Sequence, residues 1–222
     1  MKVVIISATH KEILPIKEAI NSLYIEGKSK LEVSFCESGV GILSSCFSIS
    51  KLIFEQKPDL IIQAGIAGTF DKEIPLSEVV VVKEEVLGDT GVEESGDFKD
   101  LFDLNLQSED IFPFFRRRLI NGRLKKLNFL QLREVTAITI NEITTRLQRI
   151  EQLKTKYNPA IESMEGASLH YCCLQTSISF IQIRAISNYI GERDKAKWEL
   201  KQSFINLRNI VFLYLDQLLK AI

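Results

Sequence analysis

Histidine and cysteine are scarce in this chain of 222 residues. There are two histidines, His10 and His170, and four cysteines, Cys36, Cys46, Cys172 and Cys173. Two histidines leave little for a His-based metal site, and no Cys-x-x-Cys spacing marks a zinc site. Neighbouring cysteines at 172 and 173 do not easily bridge each other, so the four are read as reduced thiols acting as small apolar groups. No Gly-x-Ser-x-Gly elbow occurs, which argues against a Ser–His–Asp hydrolase. A charge excess is missing as well: 28 basic against 29 acidic residues leave a net charge of −1, so no global field draws nucleic acid or an anionic membrane. No apolar run reaches the roughly 20 residues that span a bilayer. The apolar stretch within Met1–Ser7 is too short for a signal peptide. The expectation is a cytoplasmic protein without metal or organic cofactor, whose chemistry rests on carboxylates and amides.

What is present is a composition able to bury a core, 45% apolar and 26% charged, at a length suited to one domain over residues 1–222. Val3–Ile6 is a β-branched run typical of a strand buried on both faces. Apolar residues at helical spacing follow over Lys11–Tyr24 (Ile13, Leu14, Ile16, Ile20, Leu23), with Pro15 tolerable near a helix start. Leu31–Glu37 alternates as a strand, Ser38–Gly41 turns, and Ile42–Gln56 reads as a helix. Asp59–Gln63 is a strand ending in the glycine loop Ala64–Gly68, and Glu78–Lys83 is another. Residues 84–125 read as long loops with a short helix. Val135–Ile140 is a strand, Glu142–Leu153 a helix, Ala160–Ser163 a lead into a helix at Glu165–Leu174, and Ile178–Ser187 a strand. Lys195–Ala221 closes as a helix with Leu200, Phe204, Leu207, Val211, Leu215 and Leu218 on one stripe. This alternation predicts an α/β fold: a single domain with a mixed, mainly parallel sheet flanked by helices on both faces.

In such sheets ligands gather at the carboxyl ends of strands. The segments there are Ser7–Glu12, Ser38–Gly41, Ala64–Gly68, Ile140–Asn141, Met164–Glu165 and Asn188–Arg193. Strand-to-helix glycines are often purely structural. The conjunction carries more, because two carboxylates and an amide would converge on one cavity.

Several of these segments carry a resemblance. Ile161-Glu162-Ser163-Met164-Glu165-Gly166-Ala167 resembles the ribose-binding signature of the purine nucleoside phosphorylase and nucleosidase superfamily. Arg184-Ala185-Ile186-Ser187-Asn188 stands where that superfamily reads the purine. Gln63–Phe70 is similar to its glycine loop and Ala8–Glu12 to its opening loop. Gly88-Asp89-Thr90-Gly91-Val92-Glu93 and Ser187–Asp194 resemble the futalosine hydrolases more narrowly, nucleosidases of the alternative menaquinone pathway. The resemblance implies that Glu165 binds ribose with Met164 closing over the sugar, that Arg184 lies near the attacking water, and that Ile66, Ala67 and Gly68 shape the pocket. It also implies a homodimer or higher homo-oligomer.

The chemistry asks for such residues. Breaking an N-ribosidic bond develops positive charge near the anomeric carbon, which a carboxylate holding the ribose hydroxyls stabilises. A second carboxylate orients and deprotonates water, and Glu12 is the candidate; the alternative is a first-turn acid favoured by the helix dipole. Asparagine at 188 cannot match the acidity of aspartate, present there in the adenine-specific relatives. Its amide offers donors and an acceptor, which suits a 6-oxopurine and mismatches a 6-aminopurine, a discrimination of about 10⁴. The alternative is a turn asparagine.

The expected catalytic residues are therefore Glu12, Glu165 and Asn188. Substrate-binding candidates are Ile66, Ala67, Gly68, Met164 and Arg184, with Asn141 and Ile143 as stacking candidates for the purine. No arginine lies in Ser7–Leu14 or Ser38–Gly41 to pair a desolvated phosphate, so water is the expected nucleophile. Phe98–Phe115 suits a substrate tail, a dimer contact or plain core. Arg116-Arg117-Arg118 suits a substrate carboxylate or a solvated face. His10 is read as a loop residue able to tune Glu12, and Asp194 as a cap of the last helix. The function expected is hydrolysis of futalosine to hypoxanthine and dehypoxanthine futalosine. The competing readings are a methylthioadenosine/S-adenosylhomocysteine nucleosidase, a phosphorylase acting on inosine, and a non-catalytic nucleoside-binding module.

Overall fold

The computed structural model describes residues 1–21 and 30–221. Its elements run β1 (Lys2–Ser7), α1 (His10–Asn21), β2 (Glu32–Glu37), α2 (Ile42–Gln56), β3 (Leu60–Thr69) and β4 (Val79–Leu87). Then come β5 (Gly91–Glu94), β6 (Asp97–Asp100), β7 (Leu119–Ile120), α3 (Leu124–Leu127), β8 (Glu134–Thr139) and α4 (Leu147–Tyr157). The chain ends with β9 (Ile161–Ser163), α5 (Gly166–Thr176), β10 (Ser179–Tyr189) and α6 (Leu200–Ala221). The expected end of the first helix, with Leu23 and Tyr24, lies outside the described residues.

The β-branched runs are buried on both faces because helices cover both. On one face Val3, Ile5, Leu60, Ile62, Ile181 and Ile183 pack with Ile16 and Ile20 of α1 and Leu207, Val211 and Leu215 of α6. On the other, Val4, Ile6, Ile61 and Phe180 meet Ile49 and Leu52 of α2 and Leu169 and Cys173 of α5. Burial of such side chains contributes about 1.5–3 kcal/mol each. The sheet is mixed, as expected: β1 pairs in parallel with β2 and β3, and β3 with β10, whereas β4 runs antiparallel to β10 and β9 antiparallel to β3. With β4–β8 and β8–β9 also paired, the strands β10, β4, β8, β9 and β3 close into a ring rather than an open sheet. No helix among the described residues is long and apolar enough to cross a membrane.

Four expectations need correction. The glycine run Ala64–Gly68 is not a loop: β3 continues through it to Thr69, paired with β10 on one edge and β9 on the other. Residues 142–146 are not helical, and α4 starts only at Leu147; the stretch is tied instead to other segments. Asp89 accepts from the N–H groups of Asn141 and Glu142, and Glu162 from that of Thr144. Within 84–125 lies a β5–β6 hairpin whose turn, Ser95-Gly96, has both residues at positive φ, 55° and 88°, the arrangement that two-residue hairpins favour. Finally, Asp194 does not cap the last helix: its carboxylate accepts from Ala196 N at 3.0 Å in a short 3-10 turn, and α6 starts only at Leu200.

Candidate active site

β1 ends at Ser7, and α1 begins three residues later with Glu12 in its first turn. Glu12 Oε2 accepts from Thr9 N at 2.9 Å and from Thr9 Oγ1 at 2.8 Å. A Thr-x-x-Glu spacing at a helix start allows this reach back, so half of the carboxylate serves the helix. The other half does not. Oε1 accepts from Ile66 N at 3.1 Å, a donor on β3. Glu12 is thereby pinned at both oxygens, buried, and turned toward the end of the neighbouring strand.

Glu165 stands at the start of α5, yet its side chain makes no cap to its own helix. It crosses instead to α2, where Oε1 accepts from Gly41 N at 3.1 Å. Its Oε2 lies 3.7 Å from Arg184 Nη1. Burial pushes the Glu165 carboxyl above its ordinary range, against the pull of the Arg184 guanidinium and the Gly41 N–H. Arg184, 1% exposed, donates to Gln63 Oε1 at 2.9 Å and to Ile66 O at 3.4 Å. Gln63 in turn donates to the Glu165 carbonyl at 3.4 Å. Gly65 is what lets these groups meet. A Cβ there would stand 2.4 Å from Arg184 Nη1 and 2.9 Å from Glu12 Oε1.

Asn188 follows a bulge in β10. Ile186 pairs with Ala67 and Asn188 with Gly68, leaving Ser187 as the extra residue, the kind of irregularity that re-aims a side chain. Ser187 Oγ donates to Asn188 Oδ1 at 2.8 Å, and Asn188 Nδ2 donates to Tyr189 O at 3.1 Å. That same Nδ2 would lie 3.2 Å from a Cβ at Gly68.

Glu12, Glu165 and Asn188, distant in the chain, line one cavity of about 440 Å³. Ile66, Ala67, Gly68, Met164 and Ile143 line it too. Arg184 sits behind the wall, touching the carboxylate rather than the space. Asn141 lies outside the lining: its Oδ1 accepts from Ile42 N at 3.2 Å and its backbone N–H is taken by Asp89. The phenylalanine segment does not reach this cavity. Phe102 and Phe114 pack edge to face at 5.2 Å in a separate core cluster, and Phe112 and Phe115 are exposed. The arginine run is also elsewhere. Arg117 pairs with Asp103 at 2.6 Å and Glu109 at 2.7 Å, and Arg118 with Glu84 at 3.1 Å. His10 faces Glu37 at 3.3 Å, not Glu12.

Sequence reasoning gave no site role to several residues of the lining, among them Thr144, Glu162, Trp198, Leu200 and Phe204. Trp198 and Phe204 read as helix residues because nothing in the spacing shows that the top of the α6 stripe opens onto a cavity. Glu162 carried a usable signal, a carboxylate inside an apolar strand.

A family model described as the phosphorylase superfamily matches residues 2–220. Futalosine hydrolase of Thermus thermophilus is 26% identical over 178 residues, 80% of this chain and 78% of that protein. The 5'-methylthioadenosine/S-adenosylhomocysteine nucleosidase of Buchnera aphidicola is 25% identical over 231 residues, 94% of this chain and 93% of that protein. Among solved structures, the 5'-methylthioadenosine/S-adenosylhomocysteine nucleosidase of Helicobacter pylori shares the fold with a TM-score of 0.79 over 98% of both chains, at 18% identity. With the superfamily model spanning nearly its whole length, this chain belongs to the phosphorylase superfamily.

Proposed function

We propose that the chain is a purine nucleosidase that hydrolyses the N-ribosidic bond of futalosine, releasing hypoxanthine and dehypoxanthine futalosine as a step of menaquinone biosynthesis in the cytoplasm. The observation that supports this most is the meeting of Glu12, Glu165 and Asn188 around one cavity. In this reading Glu165 accepts from the ribose hydroxyls and stabilises the positive charge that develops as the bond to the base lengthens. Glu12 accepts one proton from water while the water oxygen bonds to the anomeric carbon. The electron pair of the broken C–N bond leaves with the base, which the Asn188 amide holds by hydrogen bonds, and the proton taken from water finally balances the departing purine. Arg184 and Gln63 are positioning residues, since they fix Glu165 and not the substrate.

Water suits the site better than phosphate. Ile66 offers an apolar side chain where an anion would want a hydroxyl, and the Arg184 guanidinium is already engaged with Gln63 and Ile66. A second copy of the chain is the proposed cover for the α2 face on which Leu43, Phe47 and Phe54 are exposed.

Incubation with futalosine, methylthioadenosine and inosine, with and without phosphate, tests the reading by the base released. Hypoxanthine from futalosine without phosphate is the expected result. Adenine from methylthioadenosine alone would replace it with the adenine-specific activity, phosphate-dependent release with a phosphorylase, and no release with a binding module. Gly65→Ala is expected to lower turnover about 100-fold, because a displacement of about 1 Å in the reacting groups costs that much. Unchanged turnover in this variant would mean that the Arg184 head and Glu12 have room to give.

A further inference from the structure

Behind Glu165 lies a polar cluster that the reaction above does not use. Glu85 of β4, Thr139 of β8, His170 of α5 and Gln182 of β10 are all fully buried. Glu85 Oε1 accepts from Gln182 Nε2 at 2.8 Å, and Glu85 Oε2 accepts from Thr139 Oγ1 at 2.8 Å. Thr139 Oγ1 in turn accepts from Ala167 N at 2.8 Å, in the first turn of α5. At the far end, His170 Nδ1 lies 2.8 Å from Leu119 O. Two atoms are left over: Gln182 Oε1 and His170 Nε2 have no hydrogen-bond partner among the described residues.

A count of hydrogens shows what is missing. A carbonyl only accepts, so His170 Nδ1 carries the hydrogen, and Nε2 of the neutral ring is then an acceptor. The Gln182 side chain reaches this ring and offers it Oε1, a second acceptor. Two buried acceptors with no hydrogen between them are costly. The two ends of an amide are alike in shape, and half a turn of Gln182 brings its N–H to His170 and its oxygen to Glu85. The gap then sits at Glu85, where one proton closes it. Glu85 O–H donates to Gln182 Oε1, Gln182 N–H to His170 Nε2, and His170 Nδ1–H to Leu119 O. A proton on His170 would close the row as well, but it would leave a buried imidazolium and a buried carboxylate to be desolvated together. Burial decides between the two, pushing Glu85 up to about 7 and His170 down to about 4. The charged groups that bear on Glu85 are Arg184, which draws it down, and Glu165, which raises it.

The cluster meets the candidate active site at the start of α5. Gly166 directly follows Glu165, and a Cβ on it would overlap Glu85 Oε1. With Ala167 N held by Thr139, this helix start rests on the Glu85 carboxyl by packing and by a relayed hydrogen bond. We propose that Glu85 is a positioning residue held as a neutral carboxylic acid, which donates to Gln182 and, through Thr139 and Gly166, fixes the start of α5 and with it Glu165. The protonation stands by itself; its consequence for catalysis rests on the purine nucleosidase reading of Glu165.

Glu85→Gln tests the proton. An amide can donate to Gln182 Oε1 and accept from Thr139 Oγ1, so it reproduces the bonds of the neutral acid and does not titrate. Wild type must take up a proton on folding, at a cost that grows as pH rises from the unfolded value towards the folded one. The Tm of the variant relative to wild type should therefore gain about 4–8 °C between pH 5 and pH 7. A difference that stays constant with pH, or moves the other way, means a carboxylate at Glu85 and overturns the proposal. Infrared spectra in heavy water give a second readout: wild type should show the C=O stretch of a buried carboxylic acid that Glu85→Gln lacks, and its absence from wild type is equally fatal. Positioning is read by turnover of futalosine. Glu85→Ala should lower kcat about 100-fold with a much smaller change in KM, and Glu85→Gln should rescue most of that loss; equal losses in both variants, or none in either, remove the link to Glu165. Wild type that releases no base would sink the nucleosidase reading, while the melting and infrared results would still decide the state of Glu85.

Discussion

Glu12→Gln is expected to lower kcat and kcat/KM together, by about 10² to 10⁴. A positioned base contributes this much by taking a proton as the nucleophile forms, and an amide has no comparable basicity. The structure adds a complication that the measurement can resolve. Glutamine retains one acceptor for the pair of donors at Thr9, and its amide nitrogen then faces the Ile66 N–H that now bonds Oε1. Two opposed donors in a buried place cost about 1–3 kcal/mol, so a modest loss of thermal stability should accompany the loss of rate. The two effects separate because thermal melting reads the stability and turnover reads the rate. Full activity in the variant would take Glu12 out of the reaction.

Arg184→Met carries the largest expected effect on stability. The guanidinium is fully buried, lies 3.7 Å from Glu165 Oε2, and bonds Gln63 and the Ile66 carbonyl. Methionine fills much of the space but leaves a buried carboxylate without its opposing charge. Removing one partner of a buried pair costs about 3–5 kcal/mol, which for a chain of this size lowers Tm by about 6–20 °C. The sign with pH follows from Glu165. Its folded-state carboxyl is raised, and loss of the arginine raises it further. A group held above its unfolded value takes up protons on folding, so stability gains as pH falls. The deficit of the variant should therefore be larger at pH 8 than at pH 5. A Tm within 2 °C of wild type at both values would show that the Gly41 N–H suffices to hold the carboxylate.

Much of the fold was legible because β-branched runs and helical stripes leave little choice. Val3–Ile6, Ile42–Gln56 and the end of α6 were placed within a residue or two, whereas α6 starts at Leu200 and not at Lys195. What escaped depended on partners remote in the chain. Residues 142–146 look helical by spacing, but the stretch is anchored to Asp89 and Glu162, which accept from the N–H groups of Glu142 and Thr144. The glycines of β3 look like a turn, but Arg184, Asn188 and Ile190 occupy the space their side chains would fill. The closure of the strands into a ring depends on pairings that no local pattern reports. The same division holds at the site. Glu12, Glu165 and Asn188 were named from acids and an amide at strand ends together with the resemblance to nucleosidase motifs, and the three line one cavity. Asn141 could not be excluded without knowing that its amide oxygen is committed to α2.

The extra residue in β10 has a consequence for how related chains are compared. Side chains alternate along a strand, so the insertion of Ser187 against the Ala67–Gly68 step decides which side of the ribbon the following asparagine occupies. Remove that one position and the amide would turn from the cavity into the packed interior, although every letter of the motif around it stayed the same. In this neighbourhood it is the count of residues between landmarks, as much as their identity, that tells whether two sequences present the same side chain to the cavity.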